Sequence, residues 1–262
     1  MKKIFIAIQQ RIFLYRLKFK LKSLLNKGLL DFFTRDFKLV KSNMDTIDNP
    51  SLINLLFSQM NINFFIQLGV GNPEVAVVGK LKKYTDPFYN LLKDKRGIVV
   101  EANPDYFKKL ENYYKNQKLY NCLIDNVSDV KKKLYFVNNL ENYRDFAHGI
   151  CSSSRQHLIN HGILPKDISS VEVKTKRLTD ILNENKISKL DLIILDLEGM
   201  EYKILLDFFS SFNFNPNIIF EYKHMNIKFL NELIGIMEKR GYKFLFFKND
   251  LFCFNNNKIE KT

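Results

Sequence analysis

The chain has no tryptophan, and its three cysteines, Cys122, Cys151 and Cys253, stand far apart without forming a C-x-x-C pair. That spacing argues against a zinc site or a disulfide framework and fits a reducing compartment. No apolar run approaches the ~20 residues that a bilayer-spanning helix needs. The first such run, Ile4 to Ile8, is too short for a signal-peptide core and is followed by Gln-Gln-Arg with no small-residue cleavage site. Glycine is sparse. Gly69-Val70-Gly71 is not followed by the third glycine of a dinucleotide fingerprint, which counts against a nicotinamide-dependent enzyme.

Acidic residues are nearly missing from the first 40 positions, which carry ten lysines and arginines against Asp31 and Asp36. Most of the net charge of +13 therefore sits in that arm. A basic arm on a mildly basic body suits an anionic surface better than a nucleic-acid groove through the active site. Leu14, Leu17, Leu21 and Leu24 follow helical spacing, so residues 1–40 are expected to be helical. They form either a membrane-surface helix or a helix packed on the domain with a solvated basic face. Residues 41–60 complete this N-terminal extension, with Leu52, Leu55, Leu56 and Met60 as an apolar stripe. One domain over residues 61–262 follows, long enough to bury a full core. Richness in Lys, Asn, Ile and Phe points to AT-rich coding and a bacterial source.

Residues 64–101 organise the rest. The buried run Phe64 to Leu68 breaks into Gly69-Val70-Gly71-Asn72, and a second run, Gly97 to Val100, ends in Glu101. A strand, a glycine turn, a crossover and a strand ending in a carboxylate make a nucleotide-binding βαβ unit. Its glycines let the backbone approach a ligand, and its acid can accept hydrogen bonds from ribose hydroxyls. A helix is expected over residues 87–95, with Asp86 as its cap and Pro87 in its first turn. Pro104 starts the next helix.

Residues 119–124 read as a third strand leading to Asp125, placed either to meet an adenine edge or simply to form a turn. Residues 134–137 make a short edge strand. Residues 138–170 break the rhythm and hold His148, His157 and His161, so a long irregular segment is expected over the mouth of the site, each histidine more plausibly structural than catalytic. Beyond it, residues 178–184 are helical and residues 191–195 a buried strand ending in Asp196-Leu197-Glu198-Gly199. Then come a helix over 200–209, a strand over 217–220 with Glu221 and His224 at its end, a helix over 226–240, and a closing hairpin. About five βα units and that hairpin predict a seven-stranded, mostly parallel open sheet with its last strand reversed. Gly69, Glu101, Asp125, Asp196 and Glu221 then share the edge where parallel sheets bind ligands.

At this point the sequence resembles the FkbM-type S-adenosylmethionine-dependent methyltransferases. The resemblance rests on residues 65–72, the Asp86-Pro87 pair, residues 97–104, residues 173–182, residues 190–204 with their D-x-E-G core, residues 216–224, and Gly241-Tyr242. It implies a class I methyltransferase, Rossmann-like fold with S-adenosylmethionine between the first two strands. Glu101 would hold the ribose, the Gly69–Gly71 turn the methionine portion, and Asp125 the adenine; Gln67, Ala102, Asn103 and Asp196 complete the expected cofactor set. Family members commonly methylate hydroxyls of glycans or small natural products, which implies a glycan or sugar-nucleotide acceptor, a part in bacterial polysaccharide biosynthesis, and a cytoplasmic enzyme, peripheral at the inner membrane face. Val70-Gly71 and Asn72-Pro73 depart from the family's usual Ala-Asn and Asp-Gly.

Methyl transfer asks a protein mainly for orientation and for removal of the acceptor proton. Asp196, Glu198 and His224 are the candidates for that work. Asp196, Glu198, Glu221 and His224 have chemistry suited to a divalent metal, but their spacing does not demand one and none is expected. A scaffold on a degenerate methyltransferase fold and a nucleic-acid methyltransferase are the alternatives, although no nucleic-acid partner is expected.

Overall fold

A computed structural model describes residues 60–75, 88–143, 149–247 and 249–255, together with positions 54, 56, 57, 83, 84 and 147. The expected helix in the basic arm, the Asp86 cap with Pro87, and His148 lie outside the described residues.

In chain order the elements are β1 (Phe64–Leu68), β2 (Glu74–Val75), β3 (Lys83–Tyr84), α1 (Tyr89–Leu92), β4 (Arg96–Glu101), α2 (Pro104–Leu110), β5 (Gln117–Asn121), β6 (Leu123–Ile124), β7 (Lys131–Val137) and β8 (Cys151–Ser152). They continue with α3 (Arg155–Asn160), β9 (Ile168–Lys176), α4 (Leu178–Glu184), β10 (Leu192–Leu195), α5 (Glu201–Ser211), β11 (Asn217–Glu221), α6 (Ile227–Lys239), β12 (Tyr242–Phe247) and β13 (Asp250–Asn255). The main sheet has seven strands in the order β12-β13-β11-β10-β1-β4-β5. β11, β10, β1, β4 and β5 are parallel, while β13 runs antiparallel to both β11 and β12.

Side-chain alternation explains why both faces are covered. Ile66, Leu68, Ile98, Val100, Ile193 and Leu195 pack on one face with Leu178, Ile181, Ile204, Phe208, Leu233 and Met237 from α4, α5 and α6. Their strand neighbours Phe65, Val99, Leu192 and Ile194 pack on the other with Leu92 of α1 and Leu110 of α2. Strands buried on both sides read as continuous apolar runs, as these do. Two local devices fix the ends. The Asp191 carboxylate accepts from the N–H groups of Asn63 (3.0 Å) and Phe64 (3.1 Å), which holds the start of β1 level with β10. Asn103 caps α2, its side-chain oxygen accepting from Asp105 N–H at 2.9 Å, with Pro104 in the first turn.

The structure corrects the sequence reading in three places. The helix expected over 87–95 is only the single turn of α1. The expected strand over 119–124 is divided, because β6 leaves the main sheet to pair with Thr175 and Lys176 of β9. Residues 138–170 are not a wholly irregular cover. β7 and β9 form a long antiparallel ladder, from Lys131↔Lys174 to Val137↔Ile168, and with β6 and β8 make a second, four-stranded sheet. These strands are lysine- and serine-rich and bury only scattered residues, so they lack the apolar run that marks the central strands. α3 packs beside them through Leu158, in a small core with Val137, Ala147, Ile150 and Ile163.

Candidate functional site

β1, β4, β10 and β11 all point their carboxyl ends the same way. From β1 the chain builds β4 and β5 on one side, then returns to build β10 on the other, so the β1–β10 boundary is the topological switch point of the sheet. Ligands of open α/β sheets bind outside such a point. A cleft of about 780 Å³ opens there, lined by Gly69, Gly71, Glu101, Asp196, Glu198 and His224 among others. That volume lies within the usual range for small-molecule and cofactor sites, roughly 300–1,000 Å³.

One wall is the turn after β1. Gly69 has φ +76°, and a Cβ on it would stand 2.0 Å from the carbonyl oxygen of Asp196, so the two strand ends touch backbone to backbone. Gly71 has φ +72°, and a Cβ there would meet nothing nearer than Gly149 at 3.9 Å. The first glycine permits strand contact; the second borders open cleft. Glu101, 4% exposed, ties this wall together. Its two carboxylate oxygens accept from Asn103 N–H (2.7 Å) and Gly71 N–H (2.8 Å). Burial raises its pKa, and the backbone N–H groups oppose that rise.

The opposite wall follows β10 and β11. Asp196 is exposed to the open cleft, and its carboxyl group is held above the usual range by the protein packed around that cleft first and by Glu198 and Glu221 next. Glu198 adopts φ +53°, a left-handed conformation that costs a non-glycine residue roughly 1–2 kcal/mol. Glu201, 1% exposed, holds that turn, its two oxygens accepting from Leu197 N–H (2.7 Å) and Gly199 N–H (3.0 Å). Burial raises the pKa of Glu201, and also that of Glu221, to about 7. Held this way, Glu198 Oε2 lies 2.8 Å from His157 Nε2 and 3.8 Å from His224 Nε2, and His224 Nε2 lies 3.7 Å from Glu221 Oε2. Burial lowers the pKa of His224, favouring its neutral form.

The three catalytic candidates, Asp196, Glu198 and His224, therefore share one wall. Of the expected cofactor residues, Gly69, Gly71, Glu101, Ala102 and Asp196 line the cleft. Gln67, Asn103 and Asp125 are not among its lining residues. Gln67 faces the other side of the sheet, accepting from the Tyr114 hydroxyl at 3.3 Å. The Asn103 side chain is spent on capping α2. The Asp125 carboxylate pairs with Lys132 at 2.6 Å. Sequence reasoning undervalued His157 and His161, which α3 brings to the His224 ring with centroid separations of 4.9 Å each. Their i, i+4 spacing behind Ser154 was the available signal, because it sets both rings on one helix face.

This is an α/β protein with its ligand cleft at the switch point of a mixed sheet. Residues 59–244 match the model of the methyltransferase FkbM domain, and the chain belongs to that family of methyltransferases. None of the curated proteins compared with it matches. The family implies S-adenosylmethionine as cofactor, and the first wall fits such a group: an open glycine turn lies beside the buried Glu101 carboxylate, both lining the cleft. Among the described residues no helix is long and apolar enough to cross a membrane.

Proposed function

We propose that the chain is an S-adenosylmethionine-dependent O-methyltransferase acting on a hydroxyl of a glycan or its sugar-nucleotide precursor. The observation that carries this reading is the facing of two walls across one cleft. One is a glycine turn with Glu101, and the other is Asp196, Glu198 and His224. The seven-stranded order with β13 reversed supports a class I methyltransferase fold. When bound, the cofactor supplies an electrophilic methyl group on a good leaving group. Glu101 and the Gly69–Gly71 turn hold it, with Ala102 beside them. Glu198 and His224 orient the acceptor hydroxyl, whose proton passes to the Asp196 carboxylate. Asp196 stands at the end of β10 in the same cleft lining as Glu198 and His224, in position to take that proton. The basic arm of residues 1–40 would serve to bring the enzyme to an anionic membrane surface.

Isothermal titration with S-adenosylmethionine and its demethylated product tests the cofactor seat. Replacing Glu101 by Ala removes hydrogen bonds to a charged group, worth about 1.5–3 kcal/mol each, so affinity should fall at least tenfold. Transfer of labelled methyl to sugar-nucleotide acceptors should vanish in Asp196→Asn, with cofactor binding retained. A wild-type chain that binds no cofactor, or an Asp196→Asn chain at full rate, refutes the reading.

A further inference from the structure

The second wall of the cleft contains more than proton transfer requires. Three imidazoles, His157, His161 and His224, meet pairwise with ring centroids 4.5–4.9 Å apart. One ligand-capable atom from each lies within 4.8 Å of the others, and the same holds for Glu198, Glu221 and His224. The two triads share His224, and the 2.8 Å contact between His157 and Glu198 joins them a second time. We infer that this wall is a binding site for one divalent transition-metal ion, seated against His224 with its other ligands drawn from Glu198, Glu221, His157 and His161.

Four observations support the site. Ligands about 2.0–2.1 Å from a common ion stand roughly 3–4 Å from one another, and the 3.8 Å and 3.7 Å separations from His224 to Glu198 and Glu221 have that spacing already. The tautomer is also set. His161 Nδ1 lies 3.0 Å from the carbonyl oxygen of His157, which can only accept, so Nδ1 is the donor there and Nε2 is the nitrogen left for a ligand. A backbone carbonyl on the far nitrogen is the usual partner of a metal-binding histidine. Charge is the third point. Among the described residues no lysine or arginine forms an ion pair with Asp196, Glu198 or Glu221, although the three carboxylates converge and Lys223 lines the same cleft near Glu221; histidines are the ion-pair partners of Glu198 and Glu221. Finally, the side chains of His157, Glu198, His224 and Glu221 are only 15–21% exposed, and Glu198, His224, Glu221 and His161 line the cleft.

The donor set selects the ion. Mixed imidazole and carboxylate suits zinc, cobalt, manganese or iron(II), whereas magnesium and calcium prefer oxygen alone. The ion deepens the methyltransferase reading and rests on it for its purpose, which is to hold an acceptor hydroxyl beside Asp196. Sequence reasoning weighed Asp196, Glu198, Glu221 and His224 for a metal, without His157 of α3 or His161 at its end, and expected none because the spacing did not demand one.

The test uses the metal alone, with neither cofactor nor acceptor. The full chain, stripped with a chelator, is titrated with cobalt(II) and read by visible absorption and calorimetry. One ion per chain is expected, displaced by zinc and not by magnesium. Affinity should fall at least about tenfold in each of Glu198→Gln, His224→Asn and His161→Asn, with far-ultraviolet circular dichroism confirming that each variant is folded. No stoichiometric binding by the wild type, or equal binding by all three variants, overturns the site. Cofactor titration of the same stripped chain stands apart. Cofactor binding without metal binding rejects the metal site only, and metal binding without cofactor binding rejects the cofactor seat only.

Discussion

Gly69 and Gly71 are two residues apart and share the same unusual torsion, yet the structure assigns them opposite sensitivities. In Gly69→Ala the new Cβ falls 2.0 Å from Asp196 O and 3.0 Å from its carbonyl carbon. Nothing flexible lies in the way, since the obstacle is backbone. Relief requires the ends of β1 and β10 to part by about 1 Å, to reach ordinary contact. At that point Asp196 N–H donates to Leu68 O and Gly69 N–H to Val100 O, each at 3.0 Å. Straining two such bonds costs about 1 kcal/mol each, and the left-handed torsion adds about 1–2 kcal/mol for any residue with a Cβ. The expected loss is about 3–4 kcal/mol, a fall in melting temperature on the order of 10 °C.

Gly71→Ala meets only the torsional cost, because its Cβ would find Gly149 at 3.9 Å and nothing closer. Its melting temperature should drop by roughly 2–8 °C, while the methyl group intrudes on the cleft. Thermal denaturation and cofactor calorimetry on both variants separate the two effects: Gly69→Ala should lose stability chiefly, Gly71→Ala cofactor affinity chiefly. A Gly69→Ala chain that melts with the wild type and binds cofactor normally would show that the two strand ends do not touch as described.

Two further outcomes follow from the walls. Glu201→Gln keeps one acceptor oxygen where two N–H groups need one each, so the turn carrying Glu198 loosens; turnover should fall by about tenfold or more with the cofactor dissociation constant unchanged, and a fall in cofactor affinity alone would count against this positioning role. Cys151 lines the cleft, but burial and the neighbouring Glu101 push its thiol up to about 12, so at pH 8 only about one molecule in ten thousand is thiolate; iodoacetamide should label it slowly at pH 8 and about tenfold faster per pH unit up to about 11, and rapid labelling at pH 8 would refute the assignment.

The sheet was legible in the sequence because its strands are buried on both faces. Leu192–Leu195 and Asn217–Glu221 are short apolar runs ending in polar residues, and a run of that kind has few other uses. The glycine turn and Glu101 were legible for a similar reason: residue type there is dictated by backbone contact and burial. β9 was not, because its outward residues are polar and its partner β7 begins Lys131-Lys132-Lys133. The histidine cluster was hidden for a different reason. His157 reaches Glu198 only through the packing of α3 beside the second sheet, a relation between segments about forty residues apart that no local pattern carries. Gln67 is the converse case. It sits inside the matching motif, but strand alternation turns it to the opposite face from the cleft.

The departure of the glycine motif at Asn72-Pro73 need not weaken the cofactor seat, because the structure replaces lost backbone freedom with tethers. Asn72 is 7% exposed, and its Oδ1 accepts from Lys109 Nζ of α2 at 3.1 Å. One residue earlier, Gly71 N–H is held by Glu101. Pro73 then fixes its own φ and restricts Asn72 to extended conformations. A glycine at the end of the motif would leave the loop more states to lose when a ligand binds. Here the chain between β1 and residue 73 is anchored at Gly71 to β4 and at Asn72 to α2, so that much of the ordering is complete beforehand. Preorganisation of this kind favours binding by lowering its entropic cost. The altered motif is thus a stiffer form of the same wall, restrained by Glu101 and Lys109 in place of the missing glycine's freedom.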